Sequence, residues 1–194
     1  MAKDLSAATK TVTDAVTIYA NENESVSSML NKAQPTVLLS AASGMSSSSS
    51  ADAIQGILNQ FNLSEDQAMH VADTVEKLSS EIALDFSKGC DTISQSIATS
   101  GSVVNEAGMS FEKYAALVST TAEKTRVSGS QIGNAFKTIF SRISRSKDGL
   151  TTDAEMSDAE AALKSVGVSV RGADGDLRDI SDTLDDLNKV CIMQ

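Results

Sequence analysis

The sequence has very few aromatic residues and a single proline. Tryptophan is absent, aromatic residues make up 4% of the 194 residues, and Pro35 is the one proline. A core without large rings must be built from Ala, Val, Ile, Leu and Met, which favours helices packed through small side chains over an aromatic-rich sandwich or barrel. Proline breaks helices and is common in turn-rich β proteins, so its scarcity indicates the same class. We predict a mainly α fold.

Histidine and cysteine are too few for the common metal and catalytic motifs. The single histidine, His70, excludes zinc motifs with two histidines, and its place opposite an apolar stripe predicts a solvated side chain. Cys90 and Cys191 match no metal or redox spacing, which favours two free thiols over a disulfide. Neither of the two phosphate-binding glycine patterns, G-x-x-x-x-G-K-[ST] and G-x-G-x-x-G, stands between a strand and a helix in this sequence. We therefore expect no enzymatic activity, no catalytic or metal-binding residues and no cofactor.

Long apolar runs are also missing. No segment approaches the roughly 20 apolar residues that cross a bilayer. The first ten residues, MAKDLSAATK, lack the apolar segment of a secretory signal. The sequence thus predicts a cytosolic protein.

One segment reverses the acidic character of the chain. The net charge is −10, yet the stretch 124–147 contains six basic residues and no acidic one. We call these six the basic island: Lys124, Arg126, Lys137, Arg142, Arg145 and Lys147. They could simply solvate the outer face of a packed helix, or they could dock on an acidic surface such as another copy of the chain. Phosphate binding is the third possibility, because the negative charge on the rest of the chain repels nucleic acid.

Apolar spacing predicts a series of short amphipathic helices. A first helix over 5–20 is followed by a break and by a shorter helix that Pro35 ends. We interpret the serine run 46–50 as a flexible joint in preference to a helix cap. Clearer helices follow within 54–78, 93–104 and 111–122, and Ser64 with Gln67 forms a capping box.

The strongest pattern lies in the segment 128–147. Ser128 and Gln131 form a second capping box. The predicted buried face combines six apolar residues: Ile132, Ala135, Phe136, Ile139, Phe140 and Ile143.

The last part of the chain changes its pattern. A helix capped by Ser157 and closed by Gly167 precedes a predicted β-hairpin over 168–178 that turns at Asp174-Gly175. A final helix has Ile180, Leu184 and Leu187 facing inward. We divide the chain into an N-terminal helical segment with its serine joint (1–49), a helical core (50–147) and a C-terminal segment (148–194). The abrupt ending CIMQ suggests truncation.

Three ordered stretches together resemble the core module of bacteriophage tail tape-measure proteins, over residues 50–190. They are LNQFNLSEDQAMHVADTVEKLSS, GSVVNEAGMSFEKYAALVSTTAEKTRVSGSQIGNAFKTIFSRI and ALKSVGVSVRGADGDLRDISDTLDDL. The most specific elements run from Gly129 to Arg142 and from Leu163 to Gly175. The family-motif positions are Phe61, Gly108, Gly129, Gly133, Phe136, Ile139, Phe140, Arg142, Gly167, Asp174 and Gly175.

The resemblance implies a structural virion protein. Members of that family extend through the tail tube, and their length sets the number of tube rings. It also implies self-association and contacts with tail tube protein, tail assembly chaperones and tail-tip proteins, with assembly in the host cytoplasm and a final place in the tail lumen. The alternatives are a non-viral helical adaptor and a weak nucleic-acid-binding protein that uses the basic island.

Family members are usually far longer than this chain. Fully helical, 194 residues would reach only about 290 Å. We therefore expect a fragment, an isolated domain or a truncated prophage product.

Overall fold

The structure, a computed structural model, describes residues 2–21, 25–81, 86–147, 163–172 and 178–192. Within these ranges it is mainly α, as predicted, with eight helices of 13 or more residues and a 3₁₀ turn at Glu65–Gln67. The helices are α1 (Ala2–Asn21), α2 (Val26–Ser43), α3 (Ser47–Phe61), α4 (Ala68–Glu81), α5 (Phe86–Glu106), α6 (Phe111–Thr125), α7 (Gly129–Lys147) and α8 (Ile180–Ile192).

Polar side chains cap several helix starts, as the sequence predicts. The backbone N–H of Ser64 donates to Gln67 Oε1 over 3.2 Å, and the N–H of Ser128 donates to Gln131 Oε1 over the same distance. Ser110 caps α6 by accepting from the N–H of Lys113. Each contact satisfies a backbone donor that the first helical turn leaves without a partner.

The prediction of a flexible joint at the serine run is wrong. Ser46 is the N-cap of α3, and its Oγ accepts from the N–H of Ser49 over 3.0 Å. The next four serines form the first turn of the helix, and Ser50 is fully buried. Serine competes for backbone hydrogen bonds inside a helix but is favoured at its start. Helix α3 crosses the proposed boundary at 49/50, and the domain division stays a prediction.

Pro35 does not end its helix, contrary to the prediction. It lies inside α2, which continues to Ser43 and ends at Gly44 with φ +72°. Proline removes one helical hydrogen bond, but most helical stability in proteins comes from tertiary packing. Here Pro35 and Leu39 are both buried, and Thr36 Oγ1 donates to the Lys32 carbonyl oxygen within the same turn.

The main core lies between α3, α4, α5, α6 and α7. Its centre is an aromatic cluster, which corrects the expectation of a core built from Ala, Val, Ile, Leu and Met. The Tyr114 ring packs edge-on against Phe136 and Phe140, and Phe61 packs edge-on against Phe111. Such edge-to-face pairs add to the free energy of burial. Cys90 is a free thiol within this core, as expected. Burial raises its thiol pKa.

A smaller apolar cluster joins α1, α2 and α3 through Ala15, Tyr19, Ala33 and Ala51. Beside it, Lys32 is completely buried. Its Nζ donates to Gln55 Oε1 over 3.0 Å, lies 3.7 Å from Glu65 Oε1 and sits 4.9 Å from the centre of the Tyr19 ring. These partners offset the cost of removing an ammonium group from water.

Helix α7 packs on α5 at very short range, because glycines face α5. A Cβ built on Gly133 would lie 2.8 Å from the Ser96 carbonyl oxygen, and one built on Gly129 would overlap the Thr92 backbone. The predicted apolar face of α7 is therefore only partly right. Ile132 and Phe140 are buried and Phe136 is half-buried.

Two other residues of that predicted face are exposed, which corrects the prediction. Ala135 is exposed, and 49% of Ile139 is accessible to solvent. The buried stripe runs through the two glycines, which a pattern of large apolar residues does not mark. The side chain of Ile143 lies outside the described residues.

The predicted β-hairpin over 168–178 is not seen in the residues of that segment that the structure describes, 168–172 and 178. In the described part of this segment, the Arg178 N–H donates to the Val170 carbonyl oxygen over 2.9 Å, but no strand forms. An isolated pair of such short arms is marginal without a further strand or a packing surface. The predicted turn at Asp174-Gly175 and the Ser157 cap lie outside the described residues.

Gly167 closes a helical turn, as predicted. Its φ is +85°, and the N–H groups of Gly167 and Val168 donate to the carbonyl oxygens of Lys164 and Leu163. This pair of bonds is the Schellman motif that favours glycine. In α8, Leu184 packs against the main core and Leu187 is half-buried, whereas the side chain of Ile180 is not described.

Candidate interaction surface

Three members of the basic island, Lys124, Arg126 and Lys137, lie on the surface formed by α6, α7 and the short connection between them. Lys124 stands in the last turn of α6, and its side chain is 74% exposed. Arg126 follows as the C-cap in the left-handed conformation, with φ +59° and an exposed side chain. Lys137 is exposed in the middle of α7. Arg142, Arg145 and Lys147 belong to the last turns of α7, and their side chains lie outside the described residues.

The exposed side chain of Lys137 takes no part in the buried packing of α7. The buried contacts of α7 come from the two glycines and from Ile132, Phe136 and Phe140, which lie on α5 and α6. Among the described residues, Lys124 Nζ lies 4.0 Å from Glu123 Oε1. Exposed ion pairs of this kind contribute little to stability. Lys124 and Lys137 are thus exposed to solvent, where attraction between opposite charges weakens as salt is added.

Most of the family-motif positions that the structure describes contribute to packing or to turns. Phe61 and Phe140 are in the core, and Gly129 and Gly133 allow the contact with α5. Gly108 has φ +93° after α5 and Gly167 closes the turn described above. Asp174 and Gly175 lie outside the described residues.

His70 is half-exposed, as predicted, but it has a partner that the sequence did not indicate. Its Nε2 lies 2.9 Å from Glu112 Oε1, which connects α4 to α6. Partial burial raises the pKa of the Glu112 carboxyl, but hydrogen bonds with His70, its own backbone and Ser110 outweigh it, and the net pKa is lowered. The pair lies on the surface, where it joins α4 to α6.

The structure also shows an open cleft of about 550 Å³ between α2, α3 and the 3₁₀ turn. Its lining is polar and includes Asn31, Gln55, Asn59 and the carboxylates of Glu65 and Asp66. Glu65 already faces the buried Lys32 ammonium group. Among the described residues, no group of three His, Cys, Asp or Glu could hold a metal ion.

A surface that the sequence analysis missed lies on α2. Val26, Leu30 and Leu38 are large apolar residues with 70%, 59% and 47% of their area exposed. The signal was present in the sequence, because residues 25–51 contain a single charged residue, Lys32. In the part of the chain that is described, no helix is both long enough and apolar enough to span a membrane.

Comparison with known proteins agrees with the resemblance noted above. The sequence profile of a family described as phage-related minor tail protein matches residues 1–191. The chain is 26% identical over 145 residues to the probable tape measure protein of Escherichia phage P2. That match covers 75% of this chain but 16% of the relative, so the chain spans about a sixth of its length. No solved structure matches significantly. Because the profile covers nearly the whole chain, the protein belongs to the family of phage-related minor tail proteins.

Proposed function

We propose that this chain is a tape-measure-related module that acts in phage tail assembly. The observation that carries the proposal is the 145-residue similarity to the probable tape measure protein of phage P2. The mainly helical fold and the presence of an exposed cationic surface in an acidic chain are consistent with a structural, partner-binding role.

In this role the described helices provide contact surfaces more than length. The longest of them, α5, has 21 residues and therefore spans about 30 Å. The helices fold back on one another around a common core. Length determination would then require extended helical segments, and this module would join such segments to other tail components.

The basic island is the proposed contact for those components. Candidate partners are tail tube protein, assembly chaperones and tail-tip proteins, which would be met in the host cytoplasm and then in the tail lumen. An acidic patch on any of them would be attracted to Lys124 and Lys137, and this attraction would set the orientation of assembly.

A deletion experiment in the source phage or prophage tests the role. Removing codons 47–147 in frame should abolish tails in electron micrographs of induced lysates. A ruler segment would behave differently, because tails would shorten by about 1.5 Å per residue removed. Tails of normal number and length would contradict the proposal, and would favour a non-viral or accessory helical adaptor.

A charge reversal tests the surface. The Lys124→Glu/Lys137→Glu variant should lose binding to the tail components that the wild type retains from lysates of the same phage at low salt. The control Lys77→Glu/Lys113→Glu makes the same change in charge at exposed positions outside the island. Equal binding by both variants would exclude the island as the contact. Salt-sensitive binding to a DNA duplex that only the first variant loses would support the nucleic-acid alternative.

A further inference from the structure

Helix α2 presents one continuous face that carries no charged side chain. At 100° per residue, its exposed positions and the half-buried Val37 fall within an arc of about 160°. We call this set the α2 face: Val26, Ser27, Leu30, Asn31, Gln34, Val37, Leu38, Ala41 and Ala42. Six of its nine members are apolar.

The absence of charge is unusual for an exposed helix in this chain. Charged residues make up 22% of the sequence, yet residues 25–51 contain Lys32 alone. Lys32 is fully buried beside Gln55, so it contributes nothing to the outer surface. Surface helices normally carry charged and polar residues opposite their buried stripe.

The fold itself does not explain this face. The opposite side of α2 already packs against α1, α3 and α4, where Ala33 and Leu39 are buried. In the described residues the α2 face stays open, and its exposed leucines and valine remain in contact with water. Depletion of charge at the centre of an apolar patch is what distinguishes protein interfaces from other surface.

We propose that the α2 face is a self-association surface, covered by the α2 face of a second copy in a two-fold symmetric contact. The net charge of −10 makes two copies repel each other over most approaches. When α2 meets α2, apolar residues contact apolar residues and no like charges are brought together. A two-fold contact also uses the same patch on both chains, which a single self-complementary helix face supplies.

The small area of this contact makes it weak. The 18 residues of α2 extend over about 27 Å, and one helix face buries less than a standard interface. We therefore expect a dimer with a dissociation constant in the micromolar range, on the order of 10–100 µM. Because salt screens the repulsion between acidic chains, association through the α2 face should be maintained or strengthened at high salt.

Sedimentation equilibrium of the whole chain from roughly 5 to 300 µM tests the proposal, since this range brackets the expected dissociation constant. Leu30→Glu should weaken dimerisation at least tenfold, while circular dichroism shows unchanged helix content. Val166→Glu adds the same charge at an exposed apolar residue outside α2 and should leave the dimer intact.

Three results would overturn it: a wild-type monomer at every concentration, a dimer that Leu30→Glu leaves unchanged, or a dimer that dissociates as salt is added. The last result would instead assign self-association to the basic island. The role in tail assembly is tested by a different experiment, tail formation after the deletion, so either proposal can fail while the other holds.

Discussion

The backbone of Gly133 in α7 lies against the backbone of Ser96 in α5, with space for a hydrogen but not for a methyl group. A Cβ at position 133 would be 2.8 Å from the Ser96 carbonyl oxygen and 2.7 Å from the Thr99 Cβ. The third near atom is the Ser96 Cα, at 3.1 Å. The first two distances are well inside van der Waals contact, and both Ser96 atoms belong to the backbone. The identity of residue 133 therefore fixes how closely the cationic helix approaches the core.

Replacing this glycine should destabilise the fold. Gly133→Ala must push α7 away from α5, and overpacking of this kind costs about 1–3 kcal/mol. Gly56→Ala is the matched control, because it lies inside α3 with no atom within 4 Å of the added Cβ. Alanine there should raise stability by about 0.5–1 kcal/mol. Urea unfolding followed by circular dichroism measures both, and a loss of stability in Gly56→Ala equal to that in Gly133→Ala would show that packing against α5 is not the cause.

Two neighbours in α7 should differ strongly in their contribution to stability. Phe140 is 1% exposed and packs against Tyr114, whereas Ile139 is 49% exposed. Phe140→Ala should therefore lower the free energy of unfolding by about 3–5 kcal/mol. Ile139→Ala should change it by less than about 1 kcal/mol. Thermal or chemical unfolding provides the comparison. Similar losses would mean that the helix is rotated relative to the face described here.

The buried hydroxyl of Tyr114 should contribute through its two serine partners. It lies 3.0 Å from Ser96 Oγ and 2.5 Å from Ser100 Oγ. Tyr114→Phe removes both contacts and should cost about 1–3 kcal/mol. A double-mutant cycle with Ser100→Ala isolates the coupling, which should exceed about 0.5 kcal/mol for groups in one network. Additive effects of the two substitutions would disprove the network.

The same substitution should change the response to alkali. Burial raises the pKa of Tyr114, although its hydrogen bonds with Ser100 and Ser96 act in the opposite direction. A raised pKa in the folded state means that the neutral hydroxyl contributes stability below its unfolded pKa of about 10. That contribution is lost as the pH rises through the folded pKa. The stability difference between wild type and Tyr114→Phe should therefore shrink above about pH 10.

The contact between His70 and Glu112 should give a small acid dependence. Because the net pKa of Glu112 is lowered, its carboxylate stabilises the fold above the ordinary glutamate value of about 4.3 and loses that effect as pH falls further. Both side chains are about half-exposed, so the effect should stay below about 1 kcal/mol. Glu112→Gln should be less stable than wild type at pH 6, with the difference vanishing near pH 3. Glu81→Gln removes the same charge at an exposed position away from this pair, and it should differ less from wild type at pH 6.

Two capped helix starts and several buried residues could be read from the sequence. Ser64 and Ser128 form their capping boxes because a cap depends on side chains within three residues of each other. Val71, Val75, Tyr114 and Val118 are buried at helical spacing within the predicted helices of 54–78 and 111–122. The cationic character of the segment 124–147 was equally visible, since charge does not depend on the fold.

Local rules failed where tertiary contacts outweighed them. Pro35 stays within a helix because burial on three neighbouring helices outweighs one missing hydrogen bond. The serine run becomes a helix start because Ser46 supplies its cap and Ser50 is buried.

By itself, the sequence determined the helical class, the helix starts at Ser64 and Ser128, the acidic net charge with its one basic segment, and the family. Only the tertiary structure decided which side of α7 and of α2 is buried. In α7 the buried stripe follows Gly129 and Gly133, because the backbone of α5 approaches there and excludes any Cβ. In α2 the open side follows from contacts that α1, α3 and α4 make with its opposite face. A periodic pattern ranks residues by hydrophobicity, but burial depends on which neighbouring atoms fill the space.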